Sequence, residues 1–383
     1  MKPIPYGKQY ISKEDLDAVT ETLQSDFLTQ GPKIAEFEDA FKAYIGSKYA
    51  VAVNNGTSAL HLAAEALGVK EGTNVITTPI TFAASANCVR YCGGNVYFAD
   101  INKQDYLIDL NKVEDLVKSK PPGFFSGLIP VDFAGHPVNL EDCHTIAEKY
   151  GLWIIEDACH APGGYFTDSK GQKQYCGNSE FADAAIFSFH PVKHIACGEG
   201  GMITCNRDDI YKTMILHRTH GITKDASLMY ANDGGWYYEM QELGYNYRLT
   251  DFQAALGLSQ LKRADAGLER RKEIAKQYVT SFQGFDKIIG QSGYVEGHAY
   301  HLYIIEVKDR LGLYNHLRSK NIFAQVHYIP VHRLPYYQSL GWKKGDFPIA
   351  ENYYDHCLSL PMYPTLTEEE QAYVITEIKS YLS

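Results

Sequence analysis

The chain has 383 residues, 45% hydrophobic and 21% charged, enough to bury more core than a single domain of ordinary size uses. Its formal net charge of -10 comes with scattered Lys and Arg, which excludes a nucleic-acid footprint and a polybasic membrane patch. The opening MKPIPYGKQYISKEDLDAV lacks the apolar run of a signal peptide and no stretch has the apolar length to span a bilayer, so a soluble, cytoplasmic protein is expected.

Hydrophobic runs then alternate with helical patterns. Residues 49–53 (YAVAV) read as a strand, followed by a helix from Ser58 on which Leu60, Ala63, Ala64 and Leu67 share a face. Residues 74–78 give the next strand and 83–91 a helix. Strands at 95–99, 128–131, 152–155, 184–189 and 201–204 continue the series, with a helix at 140–150 between two of them. This alternation predicts an α/β fold with a mostly parallel sheet covered by helices, and such sheets place ligands beyond the carboxyl ends of their strands. After Asn206 the pattern changes to helical periodicity at 251–278, a strand at 301–307, a helix at 311–320 and a helical C-terminus from Thr367. We read a large domain over 1–250 and a smaller C-terminal α/β domain over 251–383, joined through a long helix. The eight cysteines form no CxxC and no Cys/His ligand spacing, so buried free thiols are expected and no metal site.

Three features carry chemistry. Lys193, in FHPVKHIACGEGG, follows the strand ending at Phe189, so the sheet delivers its amine to the edge where ligands bind. Asp157 stands just past the apolar run of 152–155, where a carboxylate either caps a helix or pairs with a pyridinium nitrogen. Gly56, Thr57 and Ser58 join a strand to a helix, where the turn, the hydroxyls and the free amides make an anion site or simply a cap. A lysine for a Schiff base, an acid for a pyridinium and a helix N-terminus for a phosphate are the handles that pyridoxal 5'-phosphate (PLP) requires.

The stretch FSFHPVKHIACGEGG, with Gly56-Thr57-Ser58, Glu156-Asp157-Ala158 and Gly244-Tyr-Asn-Tyr-Arg-Leu249 ahead of Ala254-Ala-Leu-Gly-Leu-Ser-Gln-Leu261, resembles the DegT/DnrJ/EryC1/StrS family of PLP-dependent sugar aminotransferases. The likeness runs nearly end to end and implies the fold type I architecture. It implies that Lys193 carries the cofactor, that Asp157 partners the pyridine nitrogen, and that Thr57, Ser58 and Ser188 hold the phosphate. Phe82 would stack on the ring, His160 would stand near the cofactor oxygen, and Asn246 would reach the phosphate from the neighbouring subunit, which implies a homodimer with shared active sites. The sequence departs from the family at His194, where Pro or Asn is common, and at Ala196-Cys197, where two Thr are frequent. Lys193 is not replaced by His, as it is in relatives that dehydrate sugars, and this favours amino transfer.

Within the family, Leu28-Thr-Gln-Gly31, Thr77-Thr-Pro-Ile80, His301-Leu-Tyr303 and Ala324-Gln-Val-His-Tyr328 resemble the members that serve pseudaminic acid biosynthesis. That likeness implies transfer of the amino group of L-glutamate to C4 of a UDP-linked 4-keto-6-deoxy-N-acetylhexosamine. Arg218, His220, His327 and Tyr328 are the candidates for contacting these small-molecule substrates, with a surface ion pair or packed histidine as the alternative for each. A GDP- or dTDP-linked keto-hexose and a non-catalytic, sugar-nucleotide-binding regulator remain as competing readings.

Overall fold

A computed structural model describes residues 2–383. Seven strands form the main sheet in the order Tyr49–Val53, Gly201–Cys205, Ala184–Ser188, Trp153–Asp157, Gly127–Ile129, Asn74–Thr77 and Asn95–Phe98. All run parallel except Gly201–Cys205, which is antiparallel to both neighbours. Its first residue, Gly201, therefore sits between Val53 and Ser188, at the carboxyl ends of the strands beside it. Continuous apolar runs such as Tyr49–Val53 are buried from both faces, as a parallel sheet under two helical layers demands. The strands expected from sequence all form, within a few residues at either end.

A second sheet of Ile288–Gln291, Tyr303–Val307 and Cys357–Leu360 packs with helices Arg310–Ser319 and Glu368–Leu382 around its own core. The chain's beginning belongs to this body: Ile4–Pro5 pairs in parallel with Ile322–Phe323, and the Tyr6 carbonyl accepts from the Met362 amide at 2.8 Å. The long helix expected over 251–278 is instead two, Asp251–Leu261 and Ala264–Phe282. At the break, Arg263 reaches the Tyr10 carbonyl at 2.7 Å and Asp15 at 2.6 Å, tying the junction to helix Lys13–Leu23. Asp251, buried, accepts from the amides of Gly31 and Lys33 and so caps helix Pro32–Ile45 from across the chain. All eight cysteines are free thiols, six buried and two half-buried. Among the described residues no helix is long and apolar enough to cross a membrane.

Beneath the main sheet's ligand edge, Asp132 and Glu156 are buried side by side. Asp132 accepts from the Val138 amide and Glu156 from the Gly177 amide, both at 2.8 Å, while Asp132 Oδ2 and Glu156 Oε1 have no donor. The Cys176 thiol closes the group, all within 4.8 Å. One proton shared between the two carboxyls satisfies both orphan oxygens. Burial raises the Asp132 carboxyl from 3.8 to about 6 and Glu156 well above the usual range. The folded pair thus holds protons that the unfolded chain releases, and stability falls as pH rises from about 4 to about 6 on the Asp132 carboxyl alone, and further as Glu156 titrates above that. We expect a loss on the order of 2–3 kcal/mol over that window. In Asp132→Asn, whose amide donates without titrating, urea melts should lose most of this pH dependence; an unchanged pH profile would refute the shared proton.

Candidate active site

The carboxyl ends of the central strands open on a cavity of ≈ 680 Å3. On one side, strand Tyr49–Val53 turns at Asn54-Asn55 into helix Gly56–Ala66, where the Asn55 side chain caps the Ser58 amide at 2.8 Å. A Cβ at Gly56 would lie 2.9 Å from Ser188 Cβ, and one at Gly201 would lie 2.5 Å from the Asn55 carbonyl oxygen. Glycine at both positions lets the helix N-terminus press against the ends of two strands. Thr57, Ser58 and Ser188 all line the cavity there, and the helix dipole adds positive potential. The arrangement suits a small dianion.

Lys193 lies on the loop leaving strand Ala184–Ser188, and its amine faces the same cavity. Protein surrounds the amine, and this desolvation lowers its pKa below the ordinary lysine value, against the pull of Cys159 and Asp157. The next residue turns the other way. His194 Nε2 donates to the Ala299 carbonyl at 2.8 Å, leaving Nδ1 bare and buried without a donor. Burial and the nearby Arg271 hold this ring neutral, so His194 is a tether for the lysine loop. Arg271, itself buried, gives its Nη1 to the carbonyls of Tyr300 and Met362 at 3.1 and 2.9 Å, fixing the segment that His194 grips.

Asp157 ends strand Trp153–Asp157 and is 5% exposed. Its Oδ2 accepts from Ser85 Oγ at 2.6 Å and its Oδ1 from the Cys159 amide at 3.2 Å. His160 Nδ1 accepts from the Ala134 amide at 3.2 Å, so the ring proton is on Nε2 and is donated to Tyr328 Oη, also at 3.2 Å. Burial, reinforced by Lys193, pushes His160 well below its usual value and His327 down to about 3. With its oxygen accepting from His160, Tyr328 keeps its own proton for a group in the cavity. Phe82 is 61% exposed there, 6.2 Å ring to ring from Tyr328.

Gly56, Thr57, Ser58, Phe82, Asp157, His160, Ser188, Lys193, His327 and Tyr328 therefore share one cavity. Three expected residues do not line it. Arg218 is held by an ion pair with Glu38, the alternative weighed for it above, and by the Ala52 carbonyl at 3.0 Å. His220, at φ 60, and Asn246 are neighbours on a small turn, joined through the His220 amide to the Tyr245 carbonyl and the Thr219–Asn246 bridge. Sequence reasoning missed Tyr6, Ser85, Glu199 and His301. Glu199 sits inside the GEGG run already singled out, and Ser85 lies one helical turn past Phe82, so spacing alone could have raised both.

The DegT/DnrJ/EryC1/StrS aminotransferase family profile matches residues 9–379. The chain is 40% identical over 385 residues to the spore coat polysaccharide biosynthesis protein SpsC of Bacillus subtilis, covering 98% of this chain and 96% of that one. It is 38% identical over 389 residues to the UDP-4-amino-4,6-dideoxy-N-acetyl-beta-L-altrosamine transaminase of Campylobacter jejuni, covering 99% and 97%. Among solved structures, the fold matches PseC of Helicobacter pylori, an aminotransferase involved in pseudaminic acid biosynthesis, at TM-score 0.87 and 30% identity over 100% and 99% of the two chains. It also matches the PLP-form of Spr1654 from Streptococcus pneumoniae at TM-score 0.90 and 27% identity over 99% and 98%. With the family profile matched over nearly the whole chain and such relatives covered end to end, this protein is a sugar aminotransferase and belongs to the DegT/DnrJ/EryC1/StrS family.

Proposed function

We propose that the protein transfers the amino group of L-glutamate to C4 of a UDP-linked 4-keto-6-deoxy-N-acetylhexosamine, using PLP held in the described cavity. The observation that carries this reading is the convergence of Lys193, Asp157 and the Gly56–Ser58 helix start on one cavity. The residues fit the cofactor. The close approach at Gly56 builds a cradle that a Cβ would fill, and Asp157 keeps a lone pair on each oxygen for a protonated nitrogen. The full-length likeness to the Campylobacter jejuni transaminase supports the UDP-sugar acceptor.

When bound, PLP supplies an electron sink for the pair left behind as a proton leaves the carbon bearing nitrogen. Lys193, its ammonium weakened by burial, takes that proton from glutamate in the first half reaction and returns one to the sugar C4 in the second. Asp157 keeps the ring nitrogen protonated, Thr57, Ser58 and Ser188 bind the phosphate, and Phe82 covers the ring face. His160 fixes Tyr328, which with His327 meets the substrate. Two half reactions at one site require ping-pong kinetics. Asn246 reaches the phosphate of a second copy, with His220 beside it on the same turn as a substrate contact, in a working unit that is a homodimer and acts in the cytoplasm.

The test is turnover against a panel of UDP-, GDP- and dTDP-linked keto sugars with glutamate as donor, on protein whose solution mass has been measured. The UDP-4-keto-6-deoxy-N-acetylhexosamine should give the highest kcat/KM with a dimeric protein. Preference for a GDP- or dTDP-sugar overturns the acceptor, a monomer of full activity overturns the shared site, and binding without turnover restores the regulatory reading.

A further inference from the structure

Ser85 is the hydroxyl that reaches Asp157. It lies in the first turn of helix Ala84–Tyr91, fully buried, with its Oγ 2.6 Å from Asp157 Oδ2. A serine has one hydroxyl proton. The carbonyl of Phe82, its other acceptor, is at 3.4 Å and loses to a charged oxygen at closer range. Having donated to the carboxylate, Ser85 can only accept from Thr81 Oγ1, 2.7 Å away, so Thr81 is the donor of that pair. The hydrogen bonds therefore run one way, from Thr81 through Ser85 to Asp157, and both hydroxyl residues are shut off from water. The amide of Cys159 braces the other carboxylate oxygen. Two donors from different elements fix the plane of the carboxylate.

We propose that Ser85, oriented by Thr81, is a positioning residue that holds Asp157 as a correctly turned carboxylate for the protonated ring nitrogen of the cofactor. The proposal rests on the reading of this cavity as a PLP site. Without the hydroxyl, Asp157 Oδ2 loses a charge-assisted donor inside the protein, and the carboxylate becomes both freer to rotate and a weaker partner for a cation.

The experiment is PLP titration of the full-length protein, followed by visible absorption across pH and by steady-state kinetics with glutamate. In Ser85→Ala we expect PLP affinity and kcat each to fall about tenfold or more, the pH midpoint of the bound cofactor's colour change to shift, and KM for glutamate to stay close to wild type. Ser85→Thr should restore all three. Thr81→Val should act in the same direction more weakly and add nothing to Ser85→Ala, because the two form one chain. Wild-type affinity, colour titration and kcat in Ser85→Ala would overturn the proposal. So would a defect that Ser85→Thr does not rescue, since packing would then be the cause. If Ser85→Ala does not fold, Ser85→Cys, which keeps the volume but donates weakly, is read in the same way. Wild-type protein that stays colourless with added PLP would reject the underlying cofactor reading; a coloured wild type beside an unaffected Ser85→Ala rejects only the role of Ser85.

Discussion

Lys193→Ala is expected to lose amino transfer by about 10^4-fold or more while remaining folded, because no other group at the cavity can replace an amine in the two roles proposed for it, holding the cofactor and carrying the proton. Three of the histidines around it are already committed, and a fourth, His301, has a bare Nδ1 but is held neutral by burial. His160 is fixed between Ala134 and Tyr328, His194 grips Ala299, and His327 bonds Ser359 at 2.9 Å. Each is held neutral by burial, so none stands ready as a spare acid. The fold should not suffer. A lysine whose ammonium is weakened by desolvation is a cost to folding, and its removal is expected to leave stability unchanged or slightly raised. Initial rates with glutamate and the keto sugar, beside a thermal melt, check both halves. Turnover within tenfold of wild type would remove Lys193 from the chemistry.

Asp157→Asn is expected to lower kcat by about 10^2- to 10^3-fold, the usual weight of one aimed electrostatic contact in a water-poor site. The substitution keeps the size and, through its carbonyl oxygen, one of the two protein hydrogen bonds. It removes the charge and sets an NH2 against either Ser85 or the Cys159 amide. Since Ser85 donates at 2.6 Å and the Cys159 amide at 3.2 Å, an amide nitrogen meets a donor either way, and the side chain is driven to keep its oxygen on the closer Ser85 and set its NH2 against Cys159. A ring nitrogen facing that amide would have no anion to keep it protonated. PLP should also bind more weakly, measured by dialysis against graded PLP. Near-normal kcat in this variant would remove the electron-sink argument.

Most of the main sheet was legible because its strands are short apolar runs bounded by turn residues, and periodicity reads these directly. Lys193, Asp157 and Ser58 were found for the same reason, since each stands at the end of such a run. Helices Lys13–Leu23 and Pro32–Ile45 were passed over although the first carries the capping box Ser12-x-x-Asp15 and the second a Pro at its start and Gly46 at its end. The break at Lys262 and Arg263 was not legible. No Gly or Pro marks it, and its cause is the distant pull of Tyr10 and Asp15 on Arg263. An ion pair was an open alternative for Arg218, but its partner could not be named, because Glu38 lies far away in sequence and arrives only when helix Pro32–Ile45 packs on strand Tyr49–Val53. Tyr6 and His301 were missed for the same physical reason: they come to the cavity from the body built by the other end of the chain.

The pairing of Ile4–Pro5 with Ile322–Phe323 sets an order of assembly. Tyr6 forms a wall of the cavity, yet its seat, made by the strand at 322–323 and the Met362 amide, is synthesised long after it. A growing chain that has already completed Lys193, Asp157 and the Gly56 turn still lacks Tyr6 in place, His301, His327 and Tyr328. Ile4 to Tyr6 must wait for the strand at 322–323 and for Met362 before they can close the site, and a loop of that size is costly to close by itself. A cofactor that needs all these walls would thus be admitted only once both bodies have come together.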